Sequence, residues 1–254
     1  MFENQPDVDR IARAKEKTSK VLDHFRYVLN LHANNMFVVY SDTLASQIPL
    51  SHAANAFNVL QRSMLQFEIV RLCGLWEADY KDNAENILIV IELIDSPSII
   101  DALAAETRSQ WADHPPSRLL TPTDTPEEAA AIEEMLRQRN LKVGDREAAK
   151  AKEALRKVID DARAIEASPL RKSVVNLRDK LAHSITTTRL EKKAGPQPSV
   201  KYGDETKLLE ATSAIVEALH LWINRADFSI QNAREINERN AEAFWRGCNI
   251  KVLR

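Results

Sequence analysis

Glycine is scarce, with five residues in a chain of 254. A phosphate-cradling loop needs clustered glycines, because the backbone must come close to the phosphate oxygens, and these five form no such run. The two cysteines, Cys73 and Cys248, stand far apart, so the chain has no paired CxxC and no disulfide framework. Buried thiols in a reducing compartment are the expectation. There is no HExxH, and the histidines outside the stretch discussed below (His24, His32, His52, His114 and His220) form no metal-ligand pattern. No metal and no other cofactor is expected, and no nucleophilic-serine motif is present. The longest apolar stretch, "ILIVIELI" at 87–94, is interrupted by Glu92 and is far too short to span a bilayer. The opening "MFENQPDVDR" has no basic segment followed by an apolar run, so no secretory signal and no membrane association are expected, and a cytoplasmic location is. Net charge is only -2, which excludes a polycation that would coat nucleic acid. Any attraction for phosphate must be local.

What the chain does have is helix-forming composition. Hydrophobic residues make up 44% and charged residues 28%, as in a soluble globular protein, and Ala, Leu, Glu, Lys and Arg are abundant. Apolar spacing of three and four recurs almost throughout. Residues 7–47 read as one long helix or as two broken near "NLHANN". Residues 50–77 place Leu65, Ile69, Leu72 and Trp76 on one stripe. Helices over 84–95 and 97–112 are separated by "DSPS", with Pro97 suited to a first turn. "DHPPSRLLTPTDTP" then breaks the pattern, giving a Pro/Thr-rich linker near 113–125. "TPEE" opens a new helix, with Thr125 as cap and Glu128 closing a capping box. Residues 145–167 form a long charged helix. Ser168 and Pro169 open the next one, striped by Leu170, Val174, Leu177 and Leu181. "EKKAGPQPSVKYGD" reads as a loop, with room for a short hairpin. Helices over 205–225 and up to about Trp245 follow, the last with Gly247 as a candidate C-terminal cap. The expected architecture is one all-helical domain over 1–254, with the linker as an exposed crossover.

The chemistry concentrates in "NLRDKLAHSI", residues 176–185. Arg178 precedes His183 by five positions. The spacing alone is weak, and a histidine near a helix end has a bland role against the negative end of the helix dipole. Two features favour function. Val174, Leu177 and Leu181 already fill the core stripe, so neither Arg178 nor His183 is needed for packing. From Leu170 to Lys201 there are eight bases (Arg171, Lys172, Arg178, Lys180, Arg189, Lys192, Lys193, Lys201) against two acids (Asp179, Glu191), a local excess that attracts phosphates. On a straight helix the pair is separated by roughly 140° and about 7.5 Å, so it converges poorly within one chain. It is better suited to lining a groove or facing the same pair from a second subunit. Asp179, four before His183, is placed to orient the imidazole. Histidine moves protons near neutral pH and arginine holds phosphate oxygens, a combination that cleaves RNA without metal and leaves a 2′,3′-cyclic phosphate. Arg71 and Trp76 are read as packing residues, and "FWRGC" as docking the last helix. Tyr202 is a candidate for stacking on a base, beside a purely structural role.

"LRDKLAHS" resembles the R-x4-6-H motif of the HEPN superfamily. Asp179 stands where the family usually has a polar residue. With "VRLCGLWEAD" at 70–79 and "VKYGDETKLLEAT" at 200–212 in the same order, the chain looks like the AbiU-type abortive-infection HEPN proteins. The resemblance implies an all-α HEPN-like bundle with additional helices and a long loop after the motif helix. It implies a homodimer with the two motif helices facing each other. It also implies metal-independent endoribonuclease activity in antiphage defence or as a toxin of a toxin–antitoxin pair, with an antitoxin or defence protein as partner. Arg178 and His183 match the motif as catalytic residues. Asp179, Lys180, Ser184, Arg171 and Tyr202 are candidates for supporting roles or RNA contact. Some HEPN toxins carry a modifiable tyrosine two positions after the histidine. That position is Ile185 in this chain, so such silencing is not expected. The alternative is a catalytically silent HEPN module that binds RNA, a nucleotide or a protein partner.

Overall fold

The computed structural model describes residue 2 and residues 4–77, 84–113 and 125–252. All regular structure among the described residues is helical: α1 Asp7–Val38, α2 Asp42–Ala45, α3 His52–Gly74, α4 Ile87–Ile94, α5 Pro97–Ala112, α6 Pro126–Ala167, α7 Pro169–His183, α8 Arg189–Ala194, α9 Asp204–Asn224 and α10 Ile230–Gly247. The all-α expectation holds. The Pro/Thr-rich linker and His114 lie outside the described residues, apart from the linker's end residues Asp113 and Thr125. Among the described residues no helix is long and apolar enough to cross a membrane.

The core is built around α4. Seven of its eight side chains, all Ile, Leu or Val, are fully buried, and α1, α3, α6 and α9 contribute to the same apolar cluster. Each such side chain stabilises the fold by about 1.5–3 kcal/mol. Asn86 caps the start of α4 by accepting from the Ile89 N–H at 2.9 Å. At its other end the last carbonyls have no intrahelical partner. Arg10 of α1, itself only 6% exposed, donates to Leu93 O from Nε at 3.2 Å and from Nη2 at 2.9 Å, and to Glu92 O at 3.3 Å. Glu92 leaves the apolar cluster and pairs with Arg163 of α6.

The helix starts follow the sequence. Thr125 and Glu128 form the reciprocal capping box, Ser168 accepts from the Arg171 N–H, and Pro97, Pro126 and Pro169 stand in first turns. Three expectations are corrected. First, of the two readings of 7–47 neither holds to the end: α1 runs unbroken through "NLHANN" but stops at Val38, and the short α2 follows. Within that stretch His32 and Asn35 both bind Glu68 of α3, a fully buried residue, and Asn35 also donates to Met64 O, so tertiary contacts hold the polar segment helical. Second, no hairpin forms after the motif helix. "RLEKKA" is instead helix α8, and the loop that follows carries no strand. Third, Gly247 is the last helical residue and not the cap, which falls on Cys248 in extended conformation. The capping-box helix and the charged 145–167 helix are also one element, α6, of 42 residues.

Replacing Arg10 by alanine strands buried carbonyls at the end of α4. Arg10→Ala is expected to cost about 1.5–3 kcal/mol in chemical denaturation. A loss under about 0.5 kcal/mol, the size of an ordinary surface change, would show that the guanidinium is not what satisfies α4.

Candidate functional site

The motif helix α7 lies between α3, α6 and α9. Val174 anchors it in the core, and Ser173 and Asn176 are buried beside it. The end of α3 sets the geometry on one side. Trp76 is fully buried and donates from Nε1 to Thr212 Oγ1 of α9 at 2.8 Å, while its carbonyl accepts from Arg171. This fixes Glu77, the next residue, opposite Arg178. Arg178 Nη1 donates to Glu77 Oε1 at 3.1 Å, and Nε stands 3.0 Å from Asp179 Oδ1 in an ion pair without hydrogen-bond alignment. Burial works against the charge of the Arg178 guanidinium, but the Glu77 hydrogen bond and the two acidic neighbours outweigh it and raise its pKa above the ordinary arginine value. Behind it, burial pushes the Cys73 thiol up to about 12, so Cys73 stays a neutral thiol and is no nucleophile.

His183 is the last helical residue of α7 and is exposed. Its imidazole makes no hydrogen bond or ion pair among the described residues. Ser184 follows with φ 51°, the left-handed conformation that ends a helix, which is uncommon for a residue with a side chain. Arg178 and His183 therefore do not converge within the chain. Asp179 does not orient the imidazole as expected: it pairs with the adjacent Arg178, and its position on the helix is nearly opposite Val174. Arg171 also takes a structural place, donating to Trp76 O and to Glu166 O. Lys180 pairs with Glu191 of α8 at 2.7 Å. Of the eight bases in the 170–201 segment, Lys172, Arg189, Lys192, Lys193 and Lys201 remain exposed. Tyr202 is 79% exposed and stands edge-on to Tyr40, with ring centres 5.4 Å apart.

Compared with known families, the chain matches the HEPN family described as AbiU2 over residues 12–244. The chain belongs to this family. It matches no curated protein and no solved structure. As a member of the AbiU2 family it is an abortive-infection-related HEPN protein. The three stretches that carry the resemblance meet in space: the segment just after α3 supplies Glu77 to the motif arginine, and the start of α9 borders the opposite side of the motif helix.

Three sets of partners in this AbiU2-family chain are absent from the sequence expectations. Glu77 lies inside "VRLCGLWEAD", yet nothing in that string says that it faces Arg178. Tyr40 and Glu205 meet across 165 positions, the Tyr40 hydroxyl donating to Glu205 Oε1 at 2.7 Å. The third is the latch that holds α8 on α7. Thr188, fully buried, caps α8 in a box with Glu191 and donates to Asn176 Oδ1, while Asn176 Nδ2 donates to Glu191 Oε1 at 3.0 Å. The signal for it was present: "TRLE" at 188–191 has the spacing of a capping box.

The Lys180 hydrogen bond, helped by Asn176 and the Thr188 backbone, lowers the Glu191 carboxyl from 4.5 to about 2. A depressed folded value means that the latch contributes fully above about pH 4.5 and is lost as pH falls through about 2. An NMR titration of the Glu191 side chain in the folded protein is expected to show a midpoint near 2, and Lys180→Met is expected to move it upward. A midpoint near 4.5 in the unaltered chain would contradict the latch.

Proposed function

We propose that the chain is a metal-independent endoribonuclease that works as a homodimer on RNA in the cytoplasm, in antiphage defence or as the toxin of a toxin–antitoxin pair, with residues 1–254 acting as one HEPN-like unit. The observation that carries this reading is the state of His183: an exposed imidazole with no hydrogen-bond or ion-pair partner among the described residues, at the open end of the helix that also bears a firmly charged Arg178. In the proposed reaction His183 takes the proton of a ribose 2′-hydroxyl. The 2′-oxygen attacks the adjacent phosphorus, the bond to the 5′-oxygen breaks, and that oxygen leaves with a proton from the second subunit's histidine. The products are a 2′,3′-cyclic phosphate and a 5′-hydroxyl. Arg178 stabilises the charge that builds on the phosphate oxygens. Two motif helices face to face supply the convergence that one helix lacks, and Lys192, Lys193 and Arg189, exposed on α8, offer sites for backbone phosphates. Ser184 and Asp179 act through position, the first by ending α7 after the imidazole and the second by holding Arg178.

One observation favours a second reading. The Arg178 guanidinium is already engaged by Glu77 and Asp179, as in a module that binds RNA, a nucleotide or a protein partner without cutting. The two readings separate in one experiment. Purified protein is incubated with a mixture of tRNA and messenger RNA in EDTA, beside His183→Ala of matched fold and oligomeric state. Cleavage that falls about 10²–10⁴-fold in the variant is expected. Salt-sensitive RNA binding with no cleavage by either protein would favour the silent module, and equal cleavage by both would remove His183 from the chemistry.

A further inference from the structure

On the side of α7 away from Arg178, a groove of about 500 Å³ opens between α3, α7, α9 and the loop that follows α8. This volume lies within the range of small-ligand sites. Its walls are apolar, formed by Leu65 and Ile69 of α3, Leu177 of α7, and Val200 of the loop. Its polar groups are few and placed. Glu205, only 4% exposed, lines it from the first turn of α9. One carboxyl oxygen, Oε1, accepts the Tyr40 hydroxyl at 2.7 Å, and Oε2 has no hydrogen-bond partner among the described residues. Burial and the Glu205 hydrogen bond both raise the Tyr40 pKa, so this hydroxyl remains a donor and steadies the carboxyl group. Lys180 and Lys201 stand on the lining, and Tyr202 offers an open ring face.

A ligand that fits must be flat and apolar on its faces, present N–H donors on its inner edge, and carry an anion toward the lysines. A nucleotide has all three properties. Among the bases, guanine alone sets two adjacent donors, N1–H and the 2-amino group, against a single carboxyl group. Adenine and cytosine place one amino group beside an acceptor, and uracil places one N–H between two acceptors. We propose that this groove is a guanine subsite, in which Tyr202 stacks on the base and Glu205 accepts its Watson–Crick edge.

The inference rests on the nuclease reading, because it gives the subsite a purpose. Lys180 and His183 are one turn apart on α7, about 4.5 Å along the axis and roughly 60° around it. A strand whose base sits in the groove therefore runs toward His183, and the groove selects where that histidine acts. The Arg178–Glu77 pair lies on the other side of the helix and does not border the groove.

The test measures binding separately from cleavage. The full chain bearing His183→Ala is titrated with GMP, AMP, CMP and UMP by calorimetry. GMP is expected to bind about tenfold or more tightly than the other three. Adding Glu205→Gln, which keeps an acceptor for Tyr40, is expected to erase that preference with the melting temperature retained. Adding Tyr202→Ala, at a position 79% exposed, is expected to weaken all four nucleotides about tenfold with the melting temperature retained. No binding of GMP, equal binding of the four nucleotides, or a guanine preference that survives Glu205→Gln would overturn the subsite. Nucleotide binding as expected beside an RNA assay without cleavage would count against the nuclease alone. Cleavage without guanine binding would count against the subsite alone.

Discussion

Burial of α4 is the constraint on which the rest of the structure depends. An eight-residue helix of Ile, Leu and Val, with one glutamate, cannot stand in water, and it is too short to hold its own backbone groups satisfied once it is buried. The chain answers with polar groups brought from far away. Asn86 covers the first amides, Arg10 covers the last carbonyls from 82 and 83 positions away, and Arg163 meets the one acidic side chain. The long helices α1 and α6 are thereby fixed on the same centre. With Trp76 tied to Thr212, the end of α3 is fixed as well, and the motif helix has a rigid bed.

On that bed α7 presents two unlike sides. One carries Arg178 against the end of α3, where acidic partners hold the guanidinium and keep it charged. The other carries Ser173, Asn176, Leu177 and Lys180 along an apolar groove. His183 stands exposed at the tip, where the left-handed turn at Ser184 ends the helix. The local excess of basic residues is smaller in three dimensions than in the string. Arg178 and Lys180 are paired with acids and Arg171 binds carbonyls, which leaves an exposed basic set on α8 and its flanks. This is a more directional arrangement than the count of charges implies.

Local chemistry made much of this legible. Thr125 with Glu128, Ser168 with Pro169, and Pro97 marked helix starts, because caps and fixed proline torsions act within four residues. Where sequence reading failed, a distant partner or an unread local signal was the reason. At "NLHANN" the sequence left one helix or two open, and Glu68 decides it by drawing His32 and Asn35 into a buried cluster so that the helix continues. The stretch after the motif looked like loop and hairpin because of its glycines and prolines. Its first four residues belong to helix α8, for which the "TRLE" box was the sign. Gly247 resembled a cap, but no left-handed turn is needed where the chain leaves α10 extended. Asp179 had the right spacing for His183 and found a nearer partner in Arg178.

The sequence by itself determined the helical class, most helix starts, the family, and the candidacy of Arg178 and His183. These follow from side-chain propensity, apolar period and short motifs, all of which operate within a few residues. Only the tertiary structure decided that Glu77 faces the arginine, that Asp179 is not the orienter of the histidine, and that Tyr40 and Glu205 share a groove with Tyr202. Those outcomes depend on how α3, α7 and α9 pack against one another, and packing joins residues whose separation along the chain carries no trace of their proximity.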